Sequence, residues 1–417
     1  MTHPLAQPLE LPCGVTLSNR ICKAAMSEGM ADVDNHSTVR LERLYRRWAR
    51  SGAGLLFTGN IQVDPHHLER PLNIVIHDGS GREELARLAE AGTSGGAHFW
   101  AQLSHSGRQV DAAINPAPLA PSAVEVDVIR GAGFHFATPR AMTEAEILRA
   151  IAQFGYAARQ VRAAGFTGVT LHAAHGYLIS QFLSPLANKR QDKWGGSLEN
   201  RARFLMTILH AVRRAVGPGF PIGAKLNSSD FQKGGFTSAE CVELVKMLNG
   251  TSLDLLELSG GSLEQPKVMG ITLKDEGEDG RRQSTIEREA YFVNFAKDVR
   301  DVARMPVMVV GGFRSAAAMV ESLDKGELDV VGLARPMIAD PDGPKRLLSH
   351  DIERLPSFGK QFHILHFMPW NYMQLDRMSN GLDPDLSLTG EAAFAAFADL
   401  EGRKMAALLD HRSHLAA

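Results

Sequence analysis

"MTEAEILRAIAQFGYAARQVRAAGFTGVTLHAA" (142–174) holds one complete helix-to-strand unit. Thr143 and Glu146 have the spacing of a capping box, and Gly165 stands where such a helix would stop. Between them Ile147, Leu148, Ile151, Phe154, Ala158 and Val161 draw an apolar stripe at helical spacing. The run "GVTLHAA" (168–174) then reads as a strand. Short, continuously apolar runs of this kind suit parallel strands buried on both faces.

The same kind of run recurs on both sides of this unit. It appears as "RICKAAM" (20–26), "GLLFTG" (54–59) and "HFWAQLSH" (98–105) before it. After it come "PIGAKLN" (221–227), "LDLLELSG" (253–260), "PVMVVGGF" (306–313) and "LDVVGLARP" (328–336). Helical patterns separate the runs. "LENRARFLMTILHAVRRAVGPG" (198–219) carries Phe204, Leu205, Ile208, Leu209 and Val212 and stops at Gly217 and Pro218. "TSAECVELVKML" (237–248) opens with a second capping box, Thr237 and Glu240. Eight such alternations predict an α/β fold, the closed (β/α)8 or TIM barrel. An open doubly wound sheet is the alternative, weakened because no GxGxxG follows the first strand.

Two segments exceed a minimal barrel. Residues 106–140 form a long excursion after the third strand, and a βα-loop of that length is usually functional. The tail contains the aromatic, Met-rich "HILHFMPWNYMQLDRMSNGL" (363–382). The expected division is a barrel at 1–345 and a helical C-terminal extension at 346–417, packed on the barrel or on a partner subunit. A homodimer is therefore a possibility.

Composition excludes several classes. Across 417 residues, 44% are hydrophobic and 22% charged, and the formal net charge of -2 gives no field for nucleic acid or anionic membrane. Cys13, Cys22 and Cys241 are scattered without a CxxC, which argues against a disulfide framework and a cysteine-ligated metal. The start, "MTHPLAQPLELPCG", lacks the pattern of a signal peptide, and no apolar run reaches the ~20 residues that span a bilayer. A soluble, cytoplasmic protein is expected.

Barrel chemistry sits at the C-terminal ends of the strands. Those ends offer Met26 and Ser27, Gly59 and Asn60, Gln102 and His105, then His172 and His175 with Tyr177. They continue with Lys225 and Asn227, Ser259 to Gly261, Gly311 to Phe313, and Ala334 with Arg335. The set suits a planar polar ligand carrying negative charge. No HExxH is present and no Asp or Glu closes a strand, so no metal is expected. A purely structural role for the two histidines stays open. Glycines and an arginine after strands 7 and 8, in "VVGGFRSAAAMV" (309–320) and "VVGLARPMIADP" (330–341), suit a phosphate.

The block "LHAAHGYLISQFLSPLANKRQDKWGGSLENRARF" (171–204) resembles the signature of the Old Yellow Enzyme family, FMN-dependent NAD(P)H:flavin oxidoreductases on a (β/α)8 barrel. "LSNRICKAAMS" (17–27), "AQLSHSGRQ" (101–109), "GGF" (311–313) and "GLARP" (332–336) look like further motifs of that family, in order, spanning roughly residues 5 to 345. The resemblance implies that His172 and His175 hydrogen-bond a ligand oxygen and that Tyr177 protonates the carbon alpha to a carbonyl. It implies FMN contacts from Ala24, Ala25, Met26 and Ser27, from Asn60, and from Gln102 at the pyrimidine edge. Lys225 would lie near the flavin N1, and Gly311, Gly312, Phe313, Ala334 and Arg335 at the phosphate end. The implied reaction is reduction of an activated C=C bond in a small enone-type molecule, with NADH or NADPH as hydride donor.

This sequence departs from the family in places. Ala25 stands where proline is frequent, Asn60 where many relatives have Ala, and Gly29 near a gating tyrosine of some relatives. Lys225 replaces a common Arg, and Ser27 a Thr or Cys. The lid could instead come from Phe134, His135 and Phe136, or from Trp370 and Tyr372. Two functions from other classes compete: an aldolase or lyase with Lys225 as Schiff-base nucleophile, and a non-catalytic flavin-binding protein.

Overall fold

The computed structural model describes residues 3–127, 135–266, 292–358 and 362–416. Every one of the eight apolar runs is a strand: β1 (Ile21–Lys23), β2 (Leu55–Gln62), β3 (His98–Ser104), β4 (Gly168–Ala173), β5 (Ile222–Asn227), β6 (Leu255–Ser259), β7 (Val307–Val310) and β8 (Val330–Leu333). Neighbours pair in parallel and β8 returns to β1, closing the sheet. The fold is the (β/α)8 barrel.

Helices α1 (Val39–Ala49), α2 (Arg82–Thr93) and α3 (Glu144–Ala163) follow the first three strands. A short α4 (Leu178–Leu183) and α5 (Leu198–Val216) follow β4, and α6 (Ser238–Leu248), α7 (Val293–Arg300) and α8 (Ala316–Asp324) follow the next three. Small helices α9 (Pro336–Ala339) and α10 (Gly343–Leu348) come after β8. Both capping boxes form: Thr143 accepts from the Glu146 amide and Thr237 from the Glu240 amide, each reciprocated by the glutamate. One stripe residue is misplaced. Leu148 is 51% exposed, because at about 100° per residue it has rotated off the face that buries Ile147 and Ile151.

Two cores result. The larger one lies between the strands and the helix ring. A second fills the barrel interior with Cys22, Leu55, Phe57, Trp100, Leu255, Met308, Val310 and Val330. Trp100 needs small neighbours there. A Cβ added to Gly168 would lie 2.5 Å from its Nε1, and one added to Gly223 3.1 Å from its Cζ3. A short antiparallel pair, Leu9–Glu10 with Thr16–Leu17, plugs the barrel at the end where the strands begin, and Leu11 and Leu17 join the interior cluster.

At the tail, α11 (Ile364–Ser379) and α12 (Gly390–Ala416) pack on each other, and α11 packs on α1. Arg40 of α1 donates to Asp376 at 2.6 Å and to Ser379 at 2.8 Å. Trp370 is buried inside the tail, where it donates to the Leu388 carbonyl at 3.0 Å and stacks on Phe358. Of the excursion's aromatic residues, His135 is exposed, Phe136 is half-buried, and Phe134 lies outside the described residues. Among the described residues no helix is long and apolar enough to cross a membrane.

Candidate active site

Strand register assembles the first part of the site. Lys225 on β5 is the pairing partner of His172 on β4 and of Glu257 on β6. In-register residues of adjacent strands point to the same side. Since Leu255, two residues before Glu257, belongs to the interior cluster, the three polar side chains form a row facing the barrel interior. Lys225 and Glu257 are an ion pair at 2.9 Å, with side chains only 5% and 1% exposed.

The His172, His175 and Tyr177 rings gather at the end of β4. The His172 centroid lies 5.0 Å from that of His175 and 4.6 Å from that of Tyr177, both edge to face. His172 Nδ1 accepts the Ala174 amide at 3.3 Å, so its proton sits on Nε2. Burial, with His175 and Lys225 beside it, holds its pKa well below the histidine range. His172 is therefore a neutral Nε2–H donor. His175 adopts a left-handed φ of 61°. Its amide donates to Asn227 Oδ1 at 3.1 Å, its carbonyl accepts Gln109 Nε2 at 2.9 Å, and its Nε2 meets Ser259 Oγ at 2.7 Å.

A chain of hydrogen bonds crosses the mouth from β3 to the end of β4. Gln102 Nε2 donates to Asn60 Oδ1 at 2.7 Å, Asn60 Nδ2 donates to Glu69 Oε2, and Tyr177 donates to the same oxygen at 2.5 Å. Burial and the Glu69 carboxylate push the Tyr177 phenol well above its usual pKa, which keeps it protonated. Next to Glu69, Arg70 donates to the Ser27 carbonyl at 3.3 Å and pairs with Glu401 of α12 at 2.8 Å. Its guanidinium lies 3.6 Å from the ring of Tyr372 on α11. The tail thus reaches the rim of the mouth through Tyr372, whereas Trp370 is committed to its own packing.

The far end of the mouth is cationic. Gly311 and Gly312 have φ of 116° and 92°, the left-handed region that lets consecutive amides curve around an anion. Arg335 N-caps α9, with its guanidinium 4.7 Å from the Phe367 ring of α11. Burial and Arg314 lower its pKa, and among the described residues no carboxylate pairs with it. The Phe313 side chain belongs to the outer core, which leaves only its backbone for a ligand. Ala24 packs in the interior core, and Ala25 and Ala334 pack against it.

The donor set fits FMN. Gln102 Oε1 is a buried acceptor that no donor faces among the described residues, as a pyrimidine N–H would require, and Arg335 with the double glycine offers a desolvated anion cradle. Among the described residues His172 and His175 belong to no group of three potential metal ligands. The metal-like group of the described residues is Asp64, His67 and His105, and its atoms are engaged within the protein. His67 Nδ1 meets Asp64 at 3.0 Å, its Nε2 accepts the Leu119 amide at 3.0 Å, and His105 Nδ1 accepts that of Gly107.

Sequence reasoning missed Glu69, Glu257 and Arg70, but named Tyr372, together with Trp370, as a candidate lid residue. Glu257 was legible, since it sits two residues before Ser259 and shares its inward parity. Glu69 and Arg70 lie in an irregular loop with no periodic signal.

A model of the NADH:flavin oxidoreductase / NADH oxidase family matches residues 4–353. An NADH-dependent flavin oxidoreductase of Aspergillus parasiticus is 38% identical over 365 residues, covering 84% of this chain and 79% of its own. The solved structure of 2-naphthoyl-CoA reductase with 2-naphthoyl-CoA superposes with a TM-score of 0.75 at 28% identity, over 85% of this chain and 54% of that one. The Old Yellow Enzyme homologue of Zymomonas mobilis superposes with a TM-score of 0.70 at 25% identity, over 85% and 95% of the two chains. Barrel, polar mouth and anion cradle together define a flavin-dependent oxidoreductase. The chain belongs to the NADH:flavin oxidoreductase family, within the Old Yellow Enzyme group, with FMN as cofactor and a nicotinamide dinucleotide as reductant.

Proposed function

We propose that this enzyme is an ene reductase, acting on the C=C bond of α,β-unsaturated carbonyl or nitro compounds, with NADH or NADPH as donor. The observation that carries this reading is the ring cluster: a neutral Nε2–H donor at His172 beside a protonated phenol at Tyr177. Bound FMN supplies the hydride. His172, with His175, holds the carbonyl or nitro oxygen and stabilises the negative charge that builds on it, a preorganised donor being worth about 3 kcal/mol. Tyr177 delivers the proton to the α carbon. Gln102 and Asn60 would hold the pyrimidine edge, the backbone of residues 24–27 the flavin ring, Lys225 the N1 side, and Gly311, Gly312 and Arg335 the phosphate.

We assign residues 1–345 to the catalytic barrel and 346–417 to a cover whose Tyr372 borders the substrate side. The ion pair with Glu257 at 2.9 Å occupies the Lys225 amine that a Schiff-base nucleophile would need free. The test is an anaerobic absorption spectrum with NADH or NADPH, followed by addition of a cyclic enone. Bleaching of the flavin bands and their return on enone addition support the reading. Bleaching without any reoxidation by enones or nitroalkenes leaves a flavin reductase of another acceptor.

A further inference from the structure

Glu257 has no part in the reading above, yet it is a carboxylate sealed inside the barrel. Its side chain is 1% exposed, and among the described residues no hydrogen-bond donor faces it except the Lys225 ammonium at 2.9 Å. The other ionisable groups around the pair are Cys22 and Lys23 on β1, and His172 and His175 on the β4 side. The Lys23 ammonium is turned to the outer core, where it donates to the Phe57 carbonyl at 2.8 Å, lies over Trp48 and is offset by the Glu28 carboxylate. Both imidazoles are held neutral by burial, and burial keeps the Cys22 thiol protonated. The floor of the mouth therefore carries one positive and one negative charge side by side. A buried pair with so few hydrogen bonds contributes little to stability and is costly to desolvate. An apolar pair would fill the same space at less cost, so the charges themselves are the feature to explain.

We infer that Glu257 is a positioning residue that offsets the field of Lys225 and thereby sets the reduction potential of the flavin. The inference rests on the proposed placement of the pyrimidine end over Lys225. On uptake of two electrons and one proton the flavin gains one negative charge. A lone buried cation beneath it would favour that anion strongly, since Coulomb energies grow as the local dielectric falls. A carboxylate 2.9 Å from the ammonium turns the cation into one end of a dipole and cuts its pull. The enzyme then keeps a flavin that a nicotinamide can reduce and that still releases its electrons to an acceptor.

The test is the flavin midpoint potential of the FMN-loaded protein, measured spectroelectrochemically in a charge cycle. Glu257→Gln leaves Lys225 unopposed and should raise the ratio of reduced to oxidised flavin at least tenfold, about 30 mV for a two-electron couple. Lys225→Met should move it the other way. The double variant Lys225→Met/Glu257→Gln should return to within tenfold of the wild type, and Glu257→Asp, which keeps the charge, should stay near it. Because the double variant leaves no unpaired buried charge, it and Lys225→Met give the answer even if Glu257→Gln fails to fold: recovery on losing the carboxylate supports the inference. A shift with Lys225→Met that Glu257→Gln does not oppose overturns it. No shift with Lys225→Met overturns the placement of the flavin over Lys225, and a wild-type protein that takes up no FMN overturns the site itself.

Discussion

The hydroxyl of Tyr177 donates to Glu69 Oε2 at 2.5 Å, joining the end of β4 to the loop after β2. The phenol is thereby held by a carboxylate that Asn60 also contacts. Burial and this carboxylate both favour the neutral phenol, so its pKa lies above the ordinary value. Replacing Glu69 by Gln removes the negative neighbour and lets the phenol ionise at lower pH. The basic limb of the pH profile for flavin reoxidation by an enone should move to lower pH in Glu69→Gln. An unmoved limb would separate Glu69 from the acid.

Tyr177→Phe should leave the anaerobic rate of flavin reduction by NADH nearly intact. The rate of enone-dependent reoxidation should fall by roughly 10²–10⁴, the usual contribution of a general acid. Stopped-flow measurement of the two half-reactions separates the effects. Equal losses in both would remove Tyr177 from the proton step.

His172 is neutral because burial, His175 and Lys225 all oppose its protonation. An ordinary histidine, with a pKa of about 6.5, would gain charge and bind phenolates more tightly as the pH falls through that value. Here the affinity for the phenolate form should stay flat across that range, followed by the charge-transfer absorbance of a phenol titration. His172→Ala should weaken that binding about 10- to 100-fold, as loss of a hydrogen bond to a charged group of about 1.5–3 kcal/mol requires.

Arg335 has no carboxylate partner among the described residues and follows β8, whose neighbour β7 leads into two left-handed glycines. Arg335→Met keeps an apolar stem against Phe367 and removes the cation. FMN should then dissociate about 10- to 100-fold more readily, again the scale of one charged hydrogen bond. Quenching of FMN fluorescence on titration into the apoprotein measures it. Riboflavin, without the phosphate, should bind the two proteins alike.

Gly168→Val tests the interior core, since even a Cβ there would sit 2.5 Å from Trp100. Overpacking of this kind costs about 1–3 kcal/mol, so the urea midpoint should fall. Adding Trp100→Phe should recover part of the loss, because the two side chains share one space. Simple additivity of the two losses would show that the glycine is not there for the tryptophan.

Local order in the chain was enough to specify the barrel. Eight apolar runs, two capping boxes and the stop at Gly217 each act over a few residues, and the strands and helices appear where those patterns lie. The residues at strand ends were readable for the same reason. A parallel barrel places every strand's C-terminal end on one face.

What required the tertiary structure is which of those residues touch. Glu69 meets Tyr177 across 108 positions, and Glu257 meets Lys225 across a register that only strand pairing sets. Arg70 reaches Tyr372 and Glu401 because α11 and α12 fold back over the rim, a contact that no local pattern encodes. Hydrophobic periodicity records which face of an element is buried. Ion pairs and hydrogen bonds between distant segments depend on how the closed sheet brings those faces together, and that information resides in the packing.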